Sequence, residues 1–206
     1  MLLDLLKRYN VVLASNSPRR KELLGDLGIE FQVRTMRGID ESYPDDLPVL
    51  EIAEYISRKK AHAYKTEMHP DELIITADTV VILGDEVLGK PKDADDARRM
   101  LRELSGKTHK VVTGVTIVTN GATRSFSAVS DVEFAELSDE DINYYVDNYR
   151  PLDKAGAYGI QEWIGCMGVR NINGSFYNVM GLPLHRLYTE LNTMLIEQCT
   201  IGLTPT

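Results

Sequence analysis

Ile74-Ile75-Thr76-Ala77-Asp78-Thr79-Val80-Val81-Ile82-Leu83, followed by Gly84-Asp85-Glu86-Val87-Leu88-Gly89-Lys90-Pro91, is the most apolar run of the chain, with one carboxylate in its middle. Ile74, Ile75, Val80, Val81 and Ile82 are β-branched, which predicts a buried strand. Gly84-Asp85 is turn chemistry, so the strand is expected to fold back as a hairpin and to bring Lys90 near Asp78. A buried carboxylate is costly unless a cation, a metal or hydrogen-bond donors compensate it. Asp78 is therefore either a compensated functional carboxylate or a turn cap with Thr79 as its partner, and the run alone leaves both open.

Upstream, Tyr9 to Ala14 reads as a short strand, and Ser15-Asn16-Ser17-Pro18-Arg19-Arg20 follows. Ser17 suits an N-cap, Pro18 the first helical position and Gly28 the C-terminal cap, so a helix begins at this polar turn. Cations are unfavourable at a helix N-terminus, so Arg19 and Arg20 there point to an anion site, against the alternative of two solvated arginines. Phe31 to Val33 predicts a second strand, and Gly38 to Pro48 an acidic loop containing Glu41. Val49 to Met68 predicts a long helix with Ile52, Ala53, Ile56 and Ala63 on one face, ended by His69-Pro70. Lys59 and Lys60 lie on it.

Downstream, Asp93 caps a helix with Ala97, Met100, Leu101 and Leu104 at helical spacing, stopped by Gly106. Ser105-Gly106-Lys107-Thr108 is not a P-loop tail, because Leu101 stands where a glycine is required and the helix precedes the strand. Asn120-Gly121 joins two strands, Val111 to Thr119 and Arg124 to Phe134. Ser138 and Asp141 form a capping box for a helix that Pro151 ends. Asp153 to Gln161 is a glycine-bearing loop, either an ordinary surface loop or a close backbone approach to a ligand, with Gln161 able to read a base edge. Val169 to Asn173 predicts a strand, and Leu184, Leu187, Tyr188, Leu191 and Leu195 an amphipathic helix whose tail after Cys199 frays.

The 206 residues suffice for one large domain or two lobes sharing a core. The charge of −8 argues against non-specific binding of nucleic-acid polymers but leaves room for a local cationic pocket. No apolar run approaches a membrane span, and the first ten residues do not read as a signal peptide. Two cysteines make no disulfide framework and point to a reducing, cytosolic setting. The four histidines are scattered, so no histidine-based metal site is expected. Arginines, lysines and carboxylates without a Ser-His or Cys-His pair are the kit for binding and splitting a polyphosphate, with water as nucleophile.

Leu13 to Leu24 (Leu-Ala-Ser-Asn-Ser-Pro-Arg-Arg-Lys-Glu-Leu-Leu) resembles the N-terminal signature of the Maf family of nucleotide pyrophosphatases. Ala77-Asp78-Thr79-Val80-Val81 with Lys90-Pro91 resembles its second motif. Asp153 to Gln161 and Asn178-Val179-Met180-Gly181-Leu182-Pro183-Leu184 resemble its third and closing motifs. The resemblance implies one domain over residues 1–206 of mixed α/β class, similar to inosine triphosphate pyrophosphatases. A strongly curved central sheet flanked by helices would leave a deep cleft between two lobes. It implies a cytosolic hydrolase, often a homodimer, that cuts a nucleoside triphosphate to monophosphate and pyrophosphate with a divalent cation, magnesium or manganese. By motif, Asp78 is the base for water, Glu41 helps hold metal with Asp78, and Arg20, Lys60 and Lys90 are phosphate-binding cations. Ser15 and Ser17 join the substrate-binding turn, and Arg19, Thr79 and Gln161 match positions linked to substrate choice. The Tyr158-Gly159-Ile160-Gln161 form resembles the branch acting on dTTP and UTP. A pyrophosphatase for 7-methyl-GTP or ITP, and a nucleotide-binding regulator of cell division, are the alternatives. Asn16 and Glu162-Trp163 depart from the smaller residues usual in the family.

Overall fold

The computed structural model describes residues 1–200 and 202, so the fraying expected after Cys199 falls largely outside the described residues. The chain divides into two compact units. The first comprises Met1–Asp78, Thr113–Ala128 and the segment from Gly181, and the second Thr79–Val112 and Val129–Met180. Strands β1 (Asn10–Leu13), β2 (Gln32–Val33), β3 (Glu72–Leu83), β4 (Glu86–Leu88), β5 (Thr108–Val118), β6 (Thr123–Phe134) and β7 (Val169–Asn173) form one mixed sheet. Its order is β2-β1-β3-β5-β6-β7, with β4 paired to β3.

In the first unit, β1 runs parallel to β2 and to β3, with Val11 opposite Leu73 and Leu13 opposite Ile75. Parallel register sends the chain out of all three strands at the same end, where open α/β sheets place their ligands. The three exits are the Ser15–Ser17 turn, the loop from Arg34 to Ser42, and the remainder of β3 through Asp78. Helix α1 (Leu2–Leu6) was not legible as a helix; Leu2 and Leu6 are buried and it packs on the C-terminal helix α8 (Leu184–Thr200). Helix α2 (Pro18–Asp26) starts as the turn chemistry predicts, with the Ser17 hydroxyl accepting from the Arg20 amide and Gly28 at φ +70°.

The long helix expected over 49–68 is shorter. A 3-10 turn, Val49–Glu51, precedes α3 (Ile52–Lys65), and the helix stops before His69-Pro70. Ala61 and Tyr64 are buried, whereas Ala63 is half-buried, because the apolar face runs 53, 56/57, 61, 64. Where α3 crosses β5, a Cβ on Gly114 would lie 2.2 Å from the Glu54 nitrogen, so only glycine admits the helix this close. Buried hydroxyls fix its rotation: Thr76 donates to the Ser57 carbonyl (2.7 Å), and Ser57 meets Thr116 (2.8 Å). Ser57 and Lys60 share a face, so these bonds also aim Lys60.

In the second unit, β3 and β4 form the expected hairpin, with Leu83 opposite Glu86 and Gly84 at φ +63°. Helix α4 (Ala94–Leu104) is capped by Asp93, and α5 (Asp139–Tyr149) by the Ser138–Asp141 box. The two pack together, with Arg98–Asp147 and Arg102–Asp139 ion pairs at their surface. Two short helices, α6 (Trp163–Gly168) and α7 (Phe176–Met180), escaped the sequence reading. Strand β7 pairs antiparallel with β6, as Val132 to Ile172. No helix among the described residues is long and apolar enough to cross a membrane.

Candidate active site

Asp78 stands in the middle of β3, 15 % exposed, and its charge is compensated by a lysine. That lysine is Lys60 of α3, not Lys90 as the hairpin predicts. Lys60 Nζ lies 2.7 Å from Asp78 Oδ1 and 3.0 Å from Glu41 Oε1, with the lysine 13 % exposed. Two carboxylates from different chain exits thus converge on one ammonium. The preceding lysine fixes the Glu41 loop: Lys59 donates to Asp40 Oδ2 (2.8 Å) and to the Ser42 carbonyl (2.8 Å). Bonds from Lys59 and then Ser42 hold the Asp40 carboxyl well below the usual carboxylate range. Glu41 is therefore flanked by two anchors on Lys59 while it reaches Lys60.

Arg20 departs from a simple solvated or anion-facing arginine. Its Nε donates to the Gly181 carbonyl (2.8 Å) and its Nη1 to the Ala77 carbonyl (2.9 Å). Burial lowers its pKa, and the field of Asp78 opposes that shift. Arg20 ties the start of α2 to the residue before Asp78 and to the closing motif, while remaining a cation beside the carboxylates. The helix start is partly satisfied from within: the Ser17 amide donates to the Ser15 hydroxyl (3.2 Å), and the Arg20 amide to Ser17 (3.4 Å). Arg19 is half-buried on the same first turn.

Thr79, Lys90 and Gln161 belong to the second unit, where Thr79 is half-buried and Lys90 and Gln161 are exposed. The glycine loop is no ordinary surface loop. Ala157, Tyr158 and Ile160 are buried, and Lys154 is 8 % exposed. The Gly156 amide donates to the Gly89 carbonyl (3.0 Å), which ties the loop to the residue before Lys90. Gly156 has φ +67°, and a Cβ there would press on Val81 at 2.9 Å. The departure at Glu162 explains itself: its carboxylate accepts from the Tyr145 hydroxyl and pairs with Lys154 at 3.1 Å. Tyr145 also accepts from the Gly159 amide (3.0 Å), so one buried phenol joins Glu162 to the loop backbone. Trp163 packs on Tyr144, ring centroids 4.8 Å apart, as local packing. His109 Nε2 meets the Tyr158 hydroxyl at 2.7 Å beneath the loop. No sequence signal marked Lys154, Glu162, Tyr145 or His109 as partners, because they come from separate elements. Asn178 of the closing motif is fully buried and donates to the Val111 carbonyl and to Ser130, a structural role.

A family model described as Maf-like protein matches residues 10–194. A protein of Phocaeicola vulgatus named dTTP/UTP pyrophosphatase is 63% identical over 193 residues, covering 94% of this chain and 100% of that one. The protein of the same name from Bacteroides thetaiotaomicron is 58% identical over 193 residues, with the same coverage. Among solved structures, the Staphylococcus aureus Ham1 protein superposes with a TM-score of 0.52 at 16% identity, covering 90% of this chain and 99% of that one, a likeness of fold alone. With the family model spanning nearly the whole chain and relatives this similar along their full length, the chain belongs to the Maf-like family.

Proposed function

We propose that this protein hydrolyses nucleoside triphosphates, dTTP and UTP foremost, to the monophosphate and pyrophosphate. The observation that carries the reading is the convergence of Asp78 and Glu41 on Lys60, with Arg20 beside them, in a chain so similar to proteins of that name. Asp78 accepts the proton of a water aligned for in-line attack on the α-phosphorus. The new P–O bond forms as the bond to the bridging oxygen breaks, and pyrophosphate leaves with the negative charge. Lys60 and Arg20 neutralise that charge as it develops, and Lys90 enters as a phosphate-binding cation on its motif. Ser15, Ser17 and Arg19 serve the phosphates from the start of α2. Thr79 and Gln161 enter on their motifs, with Gln161 offering a pyrimidine edge its donor and acceptor.

A divalent cation, magnesium or manganese, is part of this reading, and Asp78 and Glu41 would hold it. Magnesium takes one or two carboxylates together with substrate phosphates and water. Two carboxylates gathered on one ammonium suit that demand, and no larger cluster of His, Cys, Asp or Glu able to hold a metal occurs among the described residues. When bound, the cation supplies charge neutralisation at the phosphate oxygens. The reading treats residues 1–206 as one functional domain, since the family match runs through both units. It also includes a homodimer, a cytosolic setting where triphosphate pools lie, and a role in clearing non-canonical pyrimidine nucleotides.

The test is pyrophosphate release from dTTP, UTP, CTP, dGTP, ITP and 7-methyl-GTP, with magnesium or manganese and with chelator. Metal-dependent turnover led by dTTP and UTP is expected. Turnover led by another nucleotide would overturn the specificity. Tight nucleotide binding with no turnover would replace the enzyme by a nucleotide-binding regulator of cell division.

A further inference from the structure

A cavity of about 610 Å³ opens in the first unit, on the side of α3 that carries Tyr55, Lys59 and His62. This volume falls within the range of small-molecule sites. Its floor is built before any ligand arrives: Met36 and Ile39 pack against the core residues Val12, Ala14, Tyr64 and Ile74. The Tyr64 hydroxyl accepts from the Met36 amide (2.8 Å) and donates to the Arg34 carbonyl (3.0 Å), pinning that floor from beneath.

The rim has the opposite character from the chain as a whole. The protein carries a net charge of −8, yet Arg37, Arg58 and Lys59 line this cavity with His62 beside them, against the single carboxylate of Asp40. Asp40 is committed to Lys59 and Ser42. Among the described residues Arg58 has only a long 3.7 Å pairing with Glu54 and is half exposed, so it keeps donors for a ligand. Tyr55 adds an aromatic face, with Lys59 Nζ 5.9 Å from its ring centroid. Apolar floor, aromatic wall and cationic rim together describe one chemistry.

We propose that this cavity is a second, non-catalytic binding site for a small anion that carries a flat ring, the ring lying on Met36, Ile39 and Tyr55 and the anion meeting Arg58 and His62. It is separate from the Asp78–Glu41–Lys60 cluster, since Lys60 is not among its lining residues. The two share the Glu41 loop and one turn of α3, because Asp40 and Lys59 are the chain neighbours of Glu41 and Lys60.

Phenyl phosphate is the probe, with inorganic phosphate and phenol as controls for the anion and the ring alone. The full chain is labelled at Met, Ile and Ala methyls and titrated by NMR. Saturating shifts are expected at Met36, Ile39 and Ala63, with each control at least about tenfold weaker, since both halves of the ligand contribute. The Arg58→Glu/His62→Glu double variant and Tyr55→Ala should each lose that saturation, and thermal unfolding confirms that they fold. The proposal is overturned if shifts are confined to Ala77 beside Asp78. It also fails if inorganic phosphate does as well as phenyl phosphate, or if the response survives charge reversal. Absence of any response, as when a peptide or a second copy covers this face, defeats it too. None of these outcomes depends on whether the protein hydrolyses dTTP.

Discussion

At the scale of single residues, the chemistry turns on which group meets Asp78. Lys60 pairs with it at 2.7 Å and with Glu41 at 3.0 Å, so one ammonium bridges both carboxylates. Asp78→Asn keeps the shape but removes the proposed proton acceptor. Turnover should fall by about 100-fold or more while nucleotide still binds, which pyrophosphate release and calorimetry would measure. Near-normal turnover would mean that another group is the base. Lys60→Gln leaves two carboxylates facing each other without their shared cation. It should weaken triphosphate binding and turnover together, seen as a rise in KM with a fall in kcat; a variant with both constants unchanged would remove Lys60 from the machinery. Asp78 was visible as the odd carboxylate in an apolar run. Lys60 entered by motif as a phosphate-binding cation, but its pairing with Asp78 was not visible, because it is 18 residues away on a helix whose rotation no local pattern states.

At the scale of elements, the site depends on how closely α3 lies on β5. Gly114→Ala would place a methyl against the Glu54 nitrogen and the Ala53 carbonyl, both backbone, which cannot swing aside. Overpacking of this kind costs roughly 1–3 kcal/mol or more, so the denaturation midpoint should drop and turnover should fall as Lys60 shifts with its helix. An unchanged midpoint would show that α3 can retreat at no cost. The glycine loop makes the complementary case. Glu162→Ala removes the acceptor of the Tyr145 hydroxyl and one of the two carboxylates on Lys154, which keeps Asp153 at 2.8 Å, so a loss of about 1–3 kcal/mol follows from leaving a buried hydroxyl unsatisfied. Urea unfolding would measure it, and Glu162→Gln should recover part of the loss through the Tyr145 bond. The same elements show what local pattern can carry. The capping box of α5, the cap of α2 and the β3–β4 hairpin were legible because each rests on neighbours within a few residues. Helix α3 came out shorter than its apolar period suggests, and α1, α6 and α7 carry only five or six residues each, too few to show a period.

At the scale of the whole molecule, stability should respond to pH through a histidine outside the proposed chemistry. His109 is 1 % exposed, and burial lowers its pKa from 6.5 to about 4. The unfolded chain takes up this proton as pH falls through 6.5, and the folded chain resists until about 4. Its stabilising share is therefore full above the upper value and is lost across that window, by on the order of 3 kcal/mol. His109→Gln, which keeps a partner for Tyr158, should flatten that part of the stability curve; equal slopes for both proteins between these limits would refute the assignment. By itself, the sequence determined the strands and the longer helices in their order, the turns at their caps and the carboxylate at the centre, since these rest on local periodicity and backbone chemistry, while its motifs carried the resemblance that implied the mixed α/β class. Tertiary structure alone decided that Lys60 rather than Lys90 compensates Asp78, that Arg20 clasps the carbonyls of Ala77 and Gly181, and that Glu162 locks the glycine loop. Those pairings follow from parallel strand register and from the depth at which a helix settles on a sheet, and spacing along the chain encodes neither.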